Sequence, residues 1–373
     1  MGHKFLLVGL TTRALAESAW RGGYSFIALD YFGDYDQRQF CRNLSLLRDL
    51  GQPYSVQALL EAARGLEYEA VVYTSSLENH PAVVAELASG KELLGNDPAT
   101  LAQVRDPAKV LPFLARRGFA VPKTIFSGEA LPGAGRWLYK PVRGGGGTGI
   151  GWWDGQREPD ERHLLQEFIE GQPASLSFVA NGRDCVVIGW SAQLIGAGDF
   201  GAAGFRYAGN IVPLDAPPTL LEEARAAACA LTAEFGLRGL NGFDFVLRDG
   251  RAYVVEVNPR YSASMELMER ERHINIFKLH VDACCADALP REDYAAGRAA
   301  SFWGKAILYA ERGVTVGDTS AWLRRDIRDV PHPGETIGRG HPVCTLFAAG
   351  YSHDACYRAL LAQADDLRQE MYR

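Results

Sequence analysis

Apolar residues in this chain come in short unbroken runs separated by stretches of helical spacing. Lys4–Gly9 reads as a buried strand, Thr12–Trp20 continues with helical spacing, and Tyr24–Asp30 is a second strand. Ala70–Tyr73 is another buried strand, and the loop Thr74–Asn79 leaves its C-terminal end ahead of a helix over Pro81–Ala88. Asp97–Gly118 divides into two helices, with Pro107 opening the second. Beyond it the period changes to two. Trp137–Pro141 and Leu164–Ile169 are strands, and Val179–Ala180, Cys185–Trp190 and Ser191–Ile195 continue as antiparallel strands. Thr219–Phe235 is an alanine-rich helix closed by Gly236, and Ser264–Ala288 reads as one helix. Strands return at Lys305–Ala310 and Val343–Ala348, and Ser352–Glu370 is a closing amphipathic helix.

The stretch Gly239–Ser264 concentrates the chemistry. Phe243–Leu247 and Ala252–Val257 are two strands around Arg248-Asp249-Gly250-Arg251, and they carry Asp244, Glu256 and Asn258. Glu256 and Asn258 share a face because strand side chains alternate. A two-residue turn at Asp249-Gly250 would set Asp244 opposite Val255, on the wrong face. A three-residue loop with Gly250 left-handed pairs Asp244 with Val254 and gathers all three oxygens, so that loop is expected. Hard oxygen donors at this spacing suit Mg²⁺. Arg260 adds a planar cation beside the following helix start, suited to a carboxylate or phosphate. Its plainer alternative is an ion pair with a nearby acid such as Glu266.

A second candidate is the glycine tract after the Trp137–Pro141 strand, Arg143-Gly144-Gly145-Gly146-Gly147-Thr148-Gly149, with Lys140 just before it. Such a loop lets backbone N–H groups surround phosphate oxygens, although no G-K-[ST] follows and it is not a Walker loop. The opening β-α-β invites a dinucleotide reading, an NAD-linked oxidoreductase. Gly9-Leu10-Thr11-Thr12-Arg13-Ala14 has one glycine where that fingerprint needs three, so a packing scaffold is the better reading.

Composition narrows the class. The chain has 373 residues, enough for two or three domains, with 47% hydrophobic and 23% charged residues. A net charge of −6 argues against a general nucleic-acid binder. The seven cysteines, at 41, 185, 229, 284, 285, 344 and 356, form no C-x-x-C and read as reduced cytosolic thiols. No signal peptide is legible and no run approaches the ~18 apolar residues of a membrane span. His273, His280, His332 and His341 have no metal-like spacing and read as structural or exposed.

Taken in order, the scaffold, Lys140 and its glycine loop, Gln166-Glu167-Phe168-Ile169, and Asp244…Glu256-Val257-Asn258-Pro259-Arg260 resemble the ATP-grasp ligases over roughly residues 1–350. Within them the chain looks most like predicted ATP-dependent carboligases similar to tyramine–glutamate ligase, of methanofuran- or methanopterin-type C1-carrier cofactor biosynthesis. The resemblance implies an α/β fold: an N-terminal open parallel-sheet domain over residues 1–105, a two-lobed ATP-grasp region over 106–298 with a lid over about 120–168, and a β-rich C-terminal piece with a closing helix over 299–373. It implies ATP with two Mg²⁺ ions held by Asp244, Glu256 and Asn258, Glu256 bridging them. Lys109 and Lys140 match the lysines on the ATP phosphates, with Gly144, Gly145, Gly146 and Gly147 closing over them. Gln166, Glu167, Phe168, Ile169 and Glu170 match the adenine hinge, read through the Glu167 carbonyl and the Ile169 N–H, and Arg260 matches the arginine near the acyl phosphate. The usual ribose carboxylate position holds Pro173, with Glu170 or Gln172 as substitutes. The activity implied is ligation of a small-molecule carboxylate to an amine, with glutamate the first candidate; a homo-oligomer is left open. The alternative is an ATP-sensing protein that binds without turnover.

Overall fold

A computed structural model describes residues 4–291, 294 and 301–373. The expected boundary at 298/299 lies outside the described residues. The fold is mixed α/β, with a parallel sheet of five strands and antiparallel sheets of four, seven and two strands.

Strands β1 (Lys4–Val8), β2 (Ser25–Asp30), β3 (Asn43–Ser45), β4 (Ala70–Tyr73) and β5 (Glu92–Leu93) form the parallel sheet in the order β3-β2-β1-β4-β5. Helices α1 (Arg13–Arg21), α2 (Val56–Ala63) and α3 (Pro81–Leu87) connect them. Leu6, Leu7 and Val8 are fully buried, as expected of a strand covered on both faces. The order reverses between β1 and β4, and the loops leaving the C-terminal ends of those two strands face the site described below.

Helices α4 (Pro98–Val104) and α5 (Pro107–Arg116) start on Asp97 and Asp106, whose carboxylates accept from the N–H groups of Thr100 (2.8 Å) and Ala108 (3.0 Å). They lead to a four-stranded antiparallel sheet of β6 (Thr124–Ile125), β7 (Trp137–Pro141), β8 (Gly151–Trp152) and β9 (His163–Glu167), ordered β6-β9-β7-β8.

The third sheet has seven strands. It contains β10 (Gln172–Asn181), β11 (Cys185–Ile195), β12 (Tyr207–Val212), β13 (Arg238–Arg248) and β14 (Arg251–Asn258). After α6 (Pro218–Phe235), α7 (Met265–Arg272) and α8 (Ile276–Cys285), β15 (Phe302–Tyr309) rejoins it. A small pair, β16 (Val314–Thr315) and β17 (Thr336–Ile337), precedes the last strand, β18 (Pro342–Gly350), and the closing helix α9 (His353–Met371). The order is β14-β13-β10-β11-β12-β15-β18, so the C-terminal strands extend this same sheet.

Four expectations change. The antiparallel strands are longer than the pattern implied: β10 begins at Gln172, and Cys185–Ile195 is one strand, because serines and alanines in the middle pack as well as β-branched residues would. Tyr207–Val212, where no element is expected, is a full strand. The single helix over Ser264–Ala288 is two, broken where His273 turns left-handed (φ 55°) and Asn275 caps α8. The hairpin turn is also different. It has two residues, Asp249 and Gly250, both at positive φ (49° and 72°), and Arg248 lies opposite Arg251. The register is corrected inside the strand: Val255 is an extra residue, so Phe245 pairs with Val254 while Asp244 pairs with Glu256. The expected convergence of the acids is reached by a bulge and not by a longer loop.

Candidate active site

The bulge determines the local geometry. Phe243 and Phe245 go into the core on one face of β13 and leave Asp244 on the other, directly across from Glu256. Asn258 reaches the same place, and its amide donates to the Asp244 carboxylate at 3.2 Å. Gln193 of β11 donates to the other Asp244 oxygen at 2.9 Å. Burial, and next the Glu256 charge, push the Asp244 carboxyl up to about 7. Burial opposes ionisation of Glu256 too, but the Arg105 and Lys140 cations hold it below its ordinary range.

Arg105, just beyond α4, joins three parts of the molecule. Its Nη1 donates to Glu256 (2.8 Å) and to the Val257 carbonyl (2.6 Å), its Nε to Asn79 (2.9 Å), and its Nη2 to the Gly144 carbonyl (3.2 Å). Opposite it, Lys140 Nζ donates to Gln166 (3.3 Å) and to the carbonyl of the bulged Val255 (3.4 Å). Between them lies an open cleft. Val104, Val110, Leu111, Leu164 and Val257 give it an apolar wall, while Arg105, Lys140, Gln166, Glu256, Gly144, Gly145 and Gly147 give it a polar one.

The glycine tract is seated on the seven-stranded sheet. Tyr207 N–H donates to the Gly146 carbonyl at 3.1 Å. Gly147, at φ 76°, lies against the Phe205 carbonyl, which a Cβ there would meet at 1.8 Å. The Gln166–Glu170 segment is less uniform. Gln166 lines the cleft, whereas Glu167, Phe168, Ile169 and Glu170 do not. The Glu167 N–H donates to the Lys123 carbonyl (2.8 Å). The Phe168 ring packs on the Arg136 guanidinium (4.4 Å) and Trp152 (4.8 Å). Ile169 is buried, and Glu170 is exposed and ion-paired with Arg136 at 3.4 Å.

Arg260 is partly buried, its side chain 12% exposed, and Glu78 accepts from its Nε at 2.6 Å. Its Nη1 donates to the Tyr261 carbonyl (2.9 Å) and its Nη2 to Asn258 (3.3 Å). The acid that pairs with it is therefore Glu78, on the loop after β4, while Glu266 is taken by Arg13 and Lys305. Lys109 is not brought to the cleft. Its side chain is half exposed on α5 and lies 3.6 Å from Asp106. Sequence reading passed over Arg105, Asn79 and Gln193. Asn79 closes the Thr74–Asn79 loop at a strand's C-terminal end, but a basic residue ahead of Asp106-Pro107 carries no mark distinguishing it from Lys109.

Comparison with known proteins bears on this geometry. Residues 104–264 match the family model described as ATP-grasp domain. An uncharacterized protein of Methanocaldococcus jannaschii is 24% identical over 368 residues, covering 92% of this chain and 88% of that protein. The L-amino acid ligase from Bacillus licheniformis superposes with a TM-score of 0.69 at 16% identity, covering 100% of this chain and 98% of that one. The biotin carboxylase domain of the Hydrogenobacter thermophilus 2-oxoglutarate carboxylase, a dimer in complex with MgADP, ADP and bicarbonate, gives 0.70 at 15% identity, covering 100% and 90%. At these identities the structural likenesses are of fold. The family match places an ATP-grasp domain over residues 104–264, and the chain shares the fold of these structures.

Proposed function

We propose that this protein is an ATP-dependent carboxylate–amine ligase. The observation that carries the reading is the cleft in which Arg105 and Lys140 face the strand bearing Glu256, under a glycine loop and beside an apolar wall. An adenine ring fits the wall, and a polyphosphate fits between the two cations and the loop's backbone N–H groups. The L-amino acid ligase and biotin carboxylase folds agree with this class of chemistry.

Asp244, Glu256 and Asn258 fit Mg²⁺. Their donors are hard oxygens, and two of them are carboxylates set opposite each other, one of which burial and the other's charge hold partly protonated. Bound there, Mg²⁺ would neutralise phosphate charge during transfer. Lys140 and Arg105 hold the polyphosphate from opposite walls, in place of the expected pair Lys140 and Lys109. The substrate carboxylate attacks the γ-phosphate, the bond to the β,γ-bridging oxygen breaks, and an acyl phosphate forms as ADP leaves. An amine then displaces phosphate and leaves an amide. Arg260, anchored through Nε by Glu78 and through Nη1 by the Tyr261 carbonyl, turns Nη2 toward Asn258 and the reacting end, where it stabilises charge on the acyl group. No nucleophilic side chain is needed.

Glutamate is the first amino acid to test, on the likeness to tyramine–glutamate-type ligases; addition to a C1-carrier precursor is the finer form of the proposal. The experiment is ADP release from MgATP with a panel of amino acids crossed with amines and acids. ADP that appears only when both an acid and an amine are present supports the reading. Tight MgATP binding with no turnover on any pair would favour an ATP sensor.

A further inference from the structure

The seven cysteines are all free thiols, as the sequence predicts, but two of them meet. Cys185 opens β11, just past a turn in which Asn181 accepts from the N–H groups of Arg183 and Asp184. Cys229 lies in the middle of α6, 44 positions further along the chain. Ala227, Ala228 and Leu231 seat that helix in the cluster that holds Phe178 and Phe245 of the seven-stranded sheet. This packing brings the two Sγ atoms to 3.3 Å, with Cys185 and Cys229 both partly exposed. A small reagent in solution therefore has access to the pair.

The distance matters because a disulfide needs sulfurs about 2.05 Å apart. The gap to close is about 1.2 Å, within reach of rotation about the two Cα–Cβ bonds and without moving the helix. The two sulfurs are also unlike. The hydrogen bond from the Cys185 thiol, and with it the Arg225 charge one turn earlier on α6, hold the Cys229 thiol down at about 7 against the effect of burial. The same hydrogen bond, and then burial, push the Cys185 thiol up. Burial pushes the other five up as well, Cys41 and Cys284 to about 12 and Cys285 and Cys356 to about 11, with Cys344 in the same direction. Cys229 is thus the nucleophile of the seven, and Cys185 is the thiol placed to follow it.

We propose that Cys185 and Cys229 are a reversible redox pair, closed by a small-molecule disulfide into a bond that staples α6 to the start of β11. The Cys229 thiolate attacks one sulfur of the small disulfide, whose S–S bond breaks and releases one thiolate. Cys185 gives its proton to that thiolate and attacks the Cys229 sulfur, expelling the second small thiol. Two protein thiols are oxidised, and the small disulfide is reduced to two thiols. The staple joins elements already in contact, so its effect is on stability: it closes a long stretch of chain in the unfolded state. The inference is independent of the ligase reading, since it needs no nucleotide.

The test uses the full reduced chain and glutathione disulfide as the probe. Free thiols are counted after denaturation, and the cross-link is located by peptide mass. The expected result is a fall from seven free thiols to five, with one cross-link, between the peptides holding Cys185 and Cys229, that dithiothreitol reverses. The oxidised protein should melt about 4 °C or more above the reduced one. In Cys185→Ser the reaction should stop at a mixed disulfide between Cys229 and glutathione, and in Cys229→Ser the loss of thiol at Cys185 should be at least ten-fold slower. A contact that serves packing alone would leave seven thiols in wild type. That result, a mixed disulfide on Cys229 that persists in wild type, a cross-link through another cysteine, or an oxidised protein that melts no higher would overturn the proposal.

Discussion

At the scale of single residues, the site is built from charges that compensate each other before any ligand arrives. Glu256 is ionised because Arg105 and Lys140 stand beside it. Arg105 is the more informative of the two cations, since one planar guanidinium reaches Glu256, Asn79 and the Gly144 carbonyl together. An ammonium cannot span those directions. Arg105→Lys should therefore raise the KM for ATP at least ten-fold even though the charge is kept, whereas Lys109→Ala should leave it within about two-fold, as expected of an exposed pair. Steady-state ADP release checks both, and an equal effect of the two substitutions would restore Lys109 to the site. Glu256→Gln should lower turnover below detection with the fold intact by circular dichroism, because a charged oxygen ligand is lost. Full activity in that variant would remove Glu256 from the reaction. The acids themselves were legible in the sequence, from residue type and period. Arg105–Glu256 and Arg260–Glu78 were not: these pairs are 151 and 182 residues apart, and such contacts leave no trace in local periodicity.

At the scale of elements, two features position that chemistry, a bulge and a seated glycine loop. The bulge at Val255 escaped the sequence reading because valine is an ordinary strand residue and both turn lengths suited Asp249-Gly250 equally. The boundaries of β4 and β7 were legible to the residue, since compact apolar runs bounded by turn residues leave little choice. The glycine tract separates into positions that need glycine and positions that do not. At Gly147 the positive φ and the Phe205 carbonyl exclude a side chain, whereas at Gly151 a Cβ meets nothing within 4 Å. Gly147→Ala should unseat the loop and raise the KM for ATP by an order of magnitude or more, and Gly151→Ala should change it little. Hydrogen exchange of residues 144–149 measures the seating directly. Faster exchange is expected in Gly147→Ala alone, and unchanged exchange there would mean that contact with Phe205 does not hold the loop.

At the scale of the whole molecule, the parallel sheet must be fixed against the hairpin strands if the loop after β4 is to deliver Glu78 and Asn79. The connection is polar and buried. Tyr73 and Asn96 both donate to the Pro259 carbonyl at 3.1 Å, and His280 of α8 bridges two segments. Its Nδ1 accepts from Leu240 N–H at 3.0 Å and its Nε2 donates to the Leu94 carbonyl at 3.2 Å, so the ring is in the neutral form with the proton on Nε2. Reading His280 as structural agrees with this role, although its partners lie too far along the chain for the sequence to name. Burial lowers the imidazole from 6.5 to about 4, since a second proton would have to sit on Nδ1 against a backbone donor. The sign of the linkage follows. Unfolded chains take up a proton near 6.5 while the folded one waits until about 4, so this contribution is complete above 6.5 and is lost progressively as pH falls through that window. The loss is on the order of 3 kcal/mol if the whole shift is expressed. Gln at 280 has an acceptor and a donor but does not titrate. The denaturation midpoint should therefore fall more steeply from pH 7 to 4.5 in wild type than in His280→Gln. Parallel curves would mean that the histidine takes up its proton equally well folded and unfolded, and that the parallel sheet is held to the hairpin without it.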